Sequence, residues 1–134
     1  GGLIFAGRIL PRLPFPLELA YLHATRYGHA IQGTLLDWRV RPTQDLRGRT
    51  VLVLDDILDE GHTLKAIIEH LKDEGAAEVL SAVLVHKLHD RKAKPGMRAD
   101  FTGLDIADRF LFGCGMDYKG YWRNAPGIYA VKGL

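Results

Sequence analysis

The residues best suited to chemistry lie in one short stretch, from Asp55 to Thr63, which contains three aspartates, one glycine and one threonine. It follows an apolar run and precedes apolar residues spaced as on one face of a helix. Backbone N–H groups that open a helix carry partial positive charge and suit a phosphate; Gly61 lets the backbone approach a ligand, and Thr63 adds a hydroxyl donor. The stretch therefore predicts a phosphate-binding loop. The chain has no G-x-x-x-x-G-K-[ST] sequence, which excludes a nucleoside-triphosphate P-loop.

Three carboxylates beside a phosphate are unfavourable unless the ligand also has hydroxyl groups and carries magnesium. Asp55 and Asp56 can accept hydrogen bonds from a ribose diol, and Asp59 can act as a base. The alternative is that these acids only cap the following helix, because Asp and Glu are common near helix starts. Two adjacent acids at the end of a buried strand, followed by D-x-G-x-T, favour the ligand site.

The elements that must position this loop form a βαβ unit. Thr50 to Leu54 predicts a strand covered on both faces, Asp55 to Gly61 a polar loop, and Leu64 to Leu71 a helix that Gly75 ends. Glu78 to His86 predicts a second buried strand, reached by a right-handed crossover. Ligands of such sheets bind beyond the carboxyl ends of the strands, where this loop falls.

The rest of the chain completes one domain, residues 1–134. We expect an α/β fold with a mainly parallel twisted sheet, helices on both faces and a small accessory hood. The purine-binding region and hood are expected within residues 87–134. The remaining predicted elements are a helix at Leu3–Leu10, strands at Leu17–His23, Phe101–Ile106, Phe110–Cys114 and Ile128–Val131, and a hairpin or mobile loop at Ala24–Asp45.

Composition narrows the class of protein. Eighteen basic and sixteen acidic residues give a net charge of +2, which does not indicate a nucleic-acid partner. The single cysteine, Cys114, excludes an internal disulfide and any multi-cysteine metal site. No apolar run approaches the roughly 20 residues that cross a bilayer, so no membrane partner is expected. A cytoplasmic location is the expectation.

Residues Val51 to Leu64, VLVLDDILDEGHTL, resemble the phosphoribosyl-pyrophosphate signature of the type I phosphoribosyltransferases. Other segments match the family in the same order along the chain. Gly1-Gly2 resembles the end of the pyrophosphate loop, and Arg26-Tyr27-Gly28 resembles the start of a mobile lid. Val85-His86-Lys87 resembles the strand end with the purine-binding lysine, and Phe110–Arg123 resembles the purine-stacking and metal-contact region. With these matches, the sequence resembles the 6-oxopurine branch of that family most closely. The family also has an N-terminal section and a core strand before Gly-Gly, which this sequence does not contain.

The resemblance implies a purine-salvage enzyme that uses Mg²⁺ to transfer the phosphoribosyl group to hypoxanthine or guanine, giving IMP or GMP and pyrophosphate. It implies Asp59 as the general base. The implied phosphoribosyl-pyrophosphate contacts are Asp55, Asp56, Asp59, Glu60, Gly61, His62, Thr63, Gly1, Gly2 and Arg123. The implied purine contacts are Lys87, Phe110, Leu111 and Asp117; the metal contacts are Asp117, Asp55 and Asp56; and the lid residues are Arg26 and Tyr27. A homo-oligomer, dimer or tetramer, is also expected.

Several of these residues have simpler interpretations. Lys87 is expected to donate to the 6-oxo oxygen and so to reject adenine, although a lysine at a strand exit is common. Phe110 is expected to stack on the purine, or else to pack in the core with Phe112. Arg123 is expected to bind pyrophosphate, or else to be a solvated surface charge. The histidines other than His62 are taken as structural or solvated.

Two residues depart from the family pattern. Glu60 stands where Thr is usual, so only its backbone N–H is assigned to binding, and Arg26 stands in place of the usual lid serine. Two other functions compete with the transferase. One is a regulator of the same fold that binds nucleotide or RNA without turnover, because fold does not fix function. The other is a flavodoxin-like signalling domain with Mg²⁺, which explains the paired aspartates but not D-x-G-x-T.

Overall fold

The computed structural model describes residues 1–26 and 36–134, which form two α-helices, a 3₁₀ turn and seven strands. In chain order these are α1 (Gly2–Ile9), the 3₁₀ turn (Leu10–Arg12), β1 (His23–Arg26), β2 (Leu36–Val40), β3 (Thr50–Leu58), α2 (His62–Asp73), β4 (Glu78–Leu88), β5 (Phe101–Ala107), β6 (Leu111–Phe112) and β7 (Tyr129–Ala130). The predicted α/β fold with a parallel sheet is confirmed.

The central sheet has three parallel strands in the order β3–β4–β5. Its register pairs Leu58 with His86 and His86 with Asp105. The carboxyl ends of the three strands therefore meet at one edge of the sheet. The βαβ unit predicted from the sequence is present, with α2 connecting β3 to β4.

The two helices cover opposite faces of the sheet. Leu64 of α2 packs in one buried cluster with Leu58 and Val83, whereas Phe5 of α1 and Leu84 line a common apolar cleft. Because neighbouring strand residues such as Val83 and Leu84 point to opposite faces, α1 and α2 lie on different sides. The helices on both faces are thus as expected.

Strand β3 is longer than predicted. The polar loop was expected to begin at Asp55, but the strand continues to Leu58, paired with β4 throughout. Leu58 is 1% exposed, and burying its side chain between β3 and α2 extends the strand past the paired acids. Asp55 and Asp56 are therefore strand residues, and the loop that precedes α2 is only three residues long, 59–61.

A strand at Leu17–His23 was also predicted, and this is wrong for residues 17–22, which belong to no regular element. Pairing begins only at His23, where β1 meets β2 in an antiparallel pair. The side chains of Leu17, Leu19 and Tyr21 occupy alternate positions, as in a strand, but all three are exposed. Within the described chain, this alternation therefore does not mark a strand that pairs with another. In the described residues, no helix is long and apolar enough to span a bilayer.

Candidate active site

A cleft of about 360 Å³ opens at the carboxyl end of β3 and is lined by residues of β3, the loop and the first turn of α2. The lining residues are Asp55, Ile57, Leu58, Asp59, Glu60, Gly61, His62, Thr63 and Leu64. No side chain caps the start of α2, and the first backbone bond of the helix is donated by Lys65 to the Gly61 carbonyl at 2.9 Å. The earlier N–H groups, as in any helix, have no partner within the helix and can bind an anion.

Gly61 holds the left-handed conformation that starts α2, with φ of 86°. A Cβ at this position would lie 2.8 Å from both Leu58 Cδ1 and Met97 Sδ. The segment that contains Met97 also binds the loop directly, because the Ala93 N–H donates to the Glu60 carbonyl at 2.8 Å. The phosphate loop is thus fixed by its glycine and by the chain that follows β4.

Asp59 and Lys87 face each other across the ends of β3 and β4. Lys87 Nζ donates to Asp59 Oδ2 at 3.0 Å, and the Lys87 side chain is 11% exposed. Lys87 Nζ also lies 3.8 Å from Asp108 Oδ1, beyond the end of β5. The predicted base and the predicted purine-binding lysine are therefore brought together.

His89 is the second partner of Asp59 and was not predicted as a site residue. His89 Nε2 lies 2.6 Å from Asp59 Oδ1, and the ring is 4% exposed. Burial raises the pKa of Asp59, but hydrogen bonds from His89 and Lys87 outweigh it and hold that pKa below its ordinary value. The ionised form of Asp59, which a base requires, is thus favoured. The spacing of Lys87 and His89, two residues apart at a strand end, was the available signal.

Asp55 and Asp56 form a close, largely buried pair of carboxylates. Asp56 is 7% exposed, and its backbone N–H donates to Asp55 Oδ1 at 2.9 Å. Burial, together with the negative charge of Asp56, raises the pKa of Asp55 to about 7. Such a pair is well matched to a ligand that brings hydroxyl donors or a cation.

The N-terminal glycines lie directly on this pair. A Cβ added to Gly1 would collide with the Asp56 carboxylate, and one added to Gly2 would lie 3.1 Å from the Leu54 carbonyl oxygen. Gly115, with φ of 102°, is equally constrained, because a Cβ there would collide with the Gly1 carbonyl oxygen. Close backbone contact thus joins the start of α1 to the end of β3 and to the hood.

Asp117 and Arg123 meet next to this contact. Arg123 Nη1 donates to the Gly115 carbonyl at 2.7 Å, and Nη2 lies 3.3 Å from Asp117 Oδ1. The Gly120 N–H donates to Asp117 Oδ2 at 2.8 Å. The Arg123 side chain is 51% exposed, so its guanidinium is held in place yet accessible to an anion.

Phe110 is 45% exposed at the start of the hood and does not pack in the core. Its ring meets Tyr118 edge to face, with centroids 5.7 Å apart, whereas Phe112 stacks on Tyr129 at 5.4 Å. Leu111 is buried and pairs with Ala130 between β6 and β7. The assignment of Phe110 and Leu111 to the purine stays a prediction.

Glu60 and His62 line the cleft beside the loop. Glu60 Oε2 lies 3.4 Å from His62 Nε2, so the unusual carboxylate is turned toward that histidine. Arg26 ends β1, and Tyr27 lies outside the described residues. Among the residues described, no three His, Cys, Asp or Glu side chains form a metal-binding group. A magnesium ion here would need oxygen atoms of the substrate, which is how Mg²⁺ commonly binds.

Comparison with known proteins places this site in a family. A model described as the phosphoribosyl transferase domain matches residues 1–119. The hypoxanthine-guanine phosphoribosyltransferase of Streptococcus pneumoniae is 32% identical over 133 residues, which are 98% of this chain and 73% of that protein. The enzyme of the same name from Bacillus subtilis is 31% identical over 136 residues, with the same two shares.

A solved structure agrees with these sequence relatives. The crystal structure of a hypoxanthine phosphoribosyltransferase from Staphylococcus aureus superposes with a TM-score of 0.89 at 28% identity, covering 98% of this chain and 71% of that one. Since the family model, the relatives and the fold all agree, the chain belongs to the hypoxanthine-guanine phosphoribosyltransferases, enzymes of the phosphoribosyl transferase family.

Proposed function

We propose that the protein catalyses the Mg²⁺-dependent transfer of the 5-phosphoribosyl group from phosphoribosyl pyrophosphate to hypoxanthine or guanine. The products are IMP or GMP and pyrophosphate. The observation that carries the proposal is the contact between Asp59 and Lys87 beside a cleft built from the start of α2. A proton acceptor and a donor for a carbonyl oxygen are thereby adjacent, at the place where a phosphorylated sugar can be held.

The start of α2 binds the 5-phosphate in this proposal. Its N–H groups, from Gly61 to Thr63, line the cleft and are free of side-chain caps. The Thr63 hydroxyl adds a donor, and the Glu60 carboxylate lies toward His62. The phosphate is therefore bound mainly by backbone donors and the helix dipole.

The ribose and the pyrophosphate lie along β3 and α1. Asp55 and Asp56 accept hydrogen bonds from the ribose hydroxyls, which relieves the repulsion between their two carboxylates. The backbone of Gly1 and Gly2, in contact with β3, and the exposed guanidinium of Arg123 bind the leaving pyrophosphate. Arg26 and Tyr27 belong to the lid that excludes water.

The donor chemistry of Asp55, Asp56 and Asp117 fits magnesium, because all three offer carboxylate oxygens. Asp117 is fixed by Arg123 and by the Gly120 N–H, so its position is defined before any ion binds. When bound, Mg²⁺ neutralises charge on the pyrophosphate as a Lewis acid. The carboxylates of Asp55, Asp56 and Asp117 would hold the ion together with oxygen atoms of the substrate.

The purine binds where Lys87 and Asp59 now meet. The 6-oxo oxygen and N7 are neighbouring acceptor and donor positions on one edge of a 6-oxopurine. Lys87 Nζ donates to the oxygen, Asp59 Oδ2 accepts the N7 proton, and Phe110 stacks on the ring. Adenine offers an amino group instead of the oxygen and leaves the buried ammonium of Lys87 without an acceptor.

The bond changes follow from this placement. The bond between ribose C1 and the pyrophosphate oxygen breaks, and its electron pair leaves with pyrophosphate. Purine N9 forms the new bond to C1, and the N7 proton passes to Asp59. Positive charge grows at C1 between these events, as in other glycosyl transfers. A positioned base of this kind supplies roughly 10²–10⁴ in rate.

The test is an assay of the protein with Mg²⁺, phosphoribosyl pyrophosphate and one purine at a time, with formation of the nucleotide followed by chromatography. Hypoxanthine or guanine should give product, and adenine should give far less. Nucleotide binding without any turnover would instead support a regulator of the same fold. Sedimentation of the same sample tests the proposed homo-oligomer.

A further inference from the structure

His89 lies outside the loop and strand ends to which the proposed reaction has been assigned, yet it is among the least exposed side chains at the site. Its ring is 4% exposed and contacts Asp59 Oδ1 through Nε2 at 2.6 Å. The contact joins residues 30 positions apart in the chain. It is therefore a tertiary contact and not a consequence of local chain geometry.

The hydrogen-bond network assigns the tautomer of His89. The backbone N–H of Arg91 donates to His89 Nδ1 at 3.1 Å, so Nδ1 is an acceptor and carries no hydrogen. A neutral imidazole then carries its hydrogen on Nε2. His89 Nε2–H accordingly donates to Asp59 Oδ1, and the ring cannot act as an acceptor toward the same carboxylate.

The backbone around His89 is held in place as well. Lys92 Nζ donates to the Lys87 carbonyl at 2.6 Å. Its approach to His89 Nε2, at 3.4 Å, is not a hydrogen bond in this tautomer, because both nitrogens carry hydrogen. The Ala93 N–H donates to the carbonyl of Glu60, next to Asp59. The segment after β4 is thus tied to both ends of the site, and the ring has little freedom to turn away.

The two oxygens of Asp59 consequently have different partners. Oδ1 is held by His89, and Oδ2 is held by Lys87. In the proposed reaction Lys87 turns to the purine oxygen, which frees Oδ2 for the N7 proton. No purine contact is assigned to His89 in the proposed reaction, so its bond to Oδ1 is retained and keeps the carboxylate plane directed at the purine.

We infer that His89 is the positioning residue of the proposed base: it fixes one oxygen of Asp59 so that the other is presented to purine N7. This inference rests on the proposed function, since it assigns His89 a role through Asp59. His89 touches neither the purine nor the sugar. Its effect should therefore appear only in steps that use Asp59.

The test compares single-turnover rates, which report the chemical step and not product release. His89→Leu removes the donor and should lower the single-turnover rate about 10- to 100-fold, the range expected for a hydrogen bond to a charged group. Affinity for phosphoribosyl pyrophosphate should change less than 2-fold. His89→Gln, whose amide nitrogen can donate in the place of Nε2, should recover most of the rate. His70→Leu, on the far part of α2, is the matched control and should leave the rate unchanged.

A double-mutant cycle separates positioning from a general structural effect. In an Asp59→Asn background, adding His89→Leu should produce no further loss, because the group that His89 positions has gone. Independent losses that multiply, or a His89→Leu variant as fast as the unsubstituted protein, would overturn the inference. If the unsubstituted protein forms no nucleotide, the proposed function fails instead. If it forms nucleotide and Asp59→Asn is fully active, the proposed function stands, but Asp59 is not the base and the inference about His89 is overturned. The outcomes of the two proposals are thus distinct.

Discussion

At the scale of single residues, Asp59 is held by two hydrogen-bond donors that have different proposed roles. The donors, His89 and Lys87, together keep its pKa below the ordinary value of an aspartate. In the absence of substrate, the ionised form of the Asp59 carboxylate is therefore favoured. In the proposed reaction Lys87 turns to the purine oxygen, so one stabilising hydrogen bond of the Asp59 anion is lost, and the proton affinity of Asp59 rises when the N7 proton must be accepted. We therefore expect the same lysine to select the purine and to activate the base.

The first prediction concerns the base itself. Asp59→Asn keeps the shape of the side chain but cannot accept the purine proton as a carboxylate does, so kcat should fall by about 10²–10⁴. The dissociation constant of phosphoribosyl pyrophosphate, measured by calorimetry, should stay nearly constant. Asp73→Asn at the exposed end of α2 is the control for loss of one negative charge. A fully active Asp59→Asn enzyme would remove Asp59 from the role of base.

The second prediction concerns purine selection. Lys87→Met keeps the length and apolar stem of the side chain but removes the donor for the 6-oxo oxygen. The KM for hypoxanthine should rise about 10- to 100-fold, since a hydrogen bond from a charged group is lost. The KM for phosphoribosyl pyrophosphate should change little, and steady-state kinetics with each substrate varied in turn measure both values. Equal losses for the two substrates would contradict the assignment of Lys87 to the purine.

At the scale of elements, the site is the place where β3 ends and α2 begins. Burial of Leu58 carries the strand past Asp55 and Asp56, and the left-handed conformation of Gly61 then turns the chain into the helix after only three loop residues. The paired carboxylates are held on a rigid strand, while the phosphate donors belong to the helix. In the proposed function, sugar and phosphate groups would thus contact different elements at one edge of the sheet.

The third prediction tests this turn with two glycines. Gly61→Ala should destabilise the protein by about 1–3 kcal/mol, because of its positive φ and because the new Cβ meets Leu58 and Met97. Gly48→Ala is the control, since Gly48 also has positive φ, of 71°, but nothing lies within 4 Å of its Cβ position. Chemical denaturation measures both changes. Only Gly61→Ala should also raise the KM for phosphoribosyl pyrophosphate, and an equal effect of both variants would argue against a special role for this turn.

The sequence was sufficient to predict what depends on periodicity and strand order. Apolar runs and helical spacing predicted β3, α2 and β4, and parallel strands necessarily bring Asp59 and Lys87 to one edge. His89 was missed because its direction depends on the segment after β4, which is fixed by tertiary contacts such as that of Ala93 with Glu60. The prediction of a strand at Leu17–His23 was wrong for residues 17–22, because an alternating pattern does not form a strand unless a neighbouring strand is there to pair with it.

At the scale of the whole molecule, folding places two carboxylates at the start of α1, and no basic side chain of residues 1–26 or 36–134 forms an ion pair with either of them. Asp56 is buried against Gly1, and Asp55 lies beside it with a pKa raised to about 7 by burial and by the charge of Asp56. In the proposed reaction we expect the binding of the ribose hydroxyls and of magnesium to compensate for this cost. In the free protein, the repulsion and burial of these two carboxylates lower the free energy of unfolding, which can be measured.

The fourth prediction is that this cost depends on pH. Asp55 has a pKa of about 7 in the folded protein and 3.8 as its reference value, so between pH 4 and 7 the folded state binds more protons, and its contribution to stability falls as pH rises. Asp55→Asn should therefore stabilise the metal-free protein at pH 8, by up to about 4 kcal/mol, and the gain should shrink toward pH 5. The pKa of His86 is lowered, chiefly by burial, so the contribution of His86 to stability changes with pH in the opposite direction. The measured quantity is therefore the difference in unfolding free energy between Asp55→Asn and the unsubstituted protein, from denaturation in EDTA. A difference that does not change with pH would show that Asp55 is ionised throughout, and that the two carboxylates are neutralised within the folded chain itself.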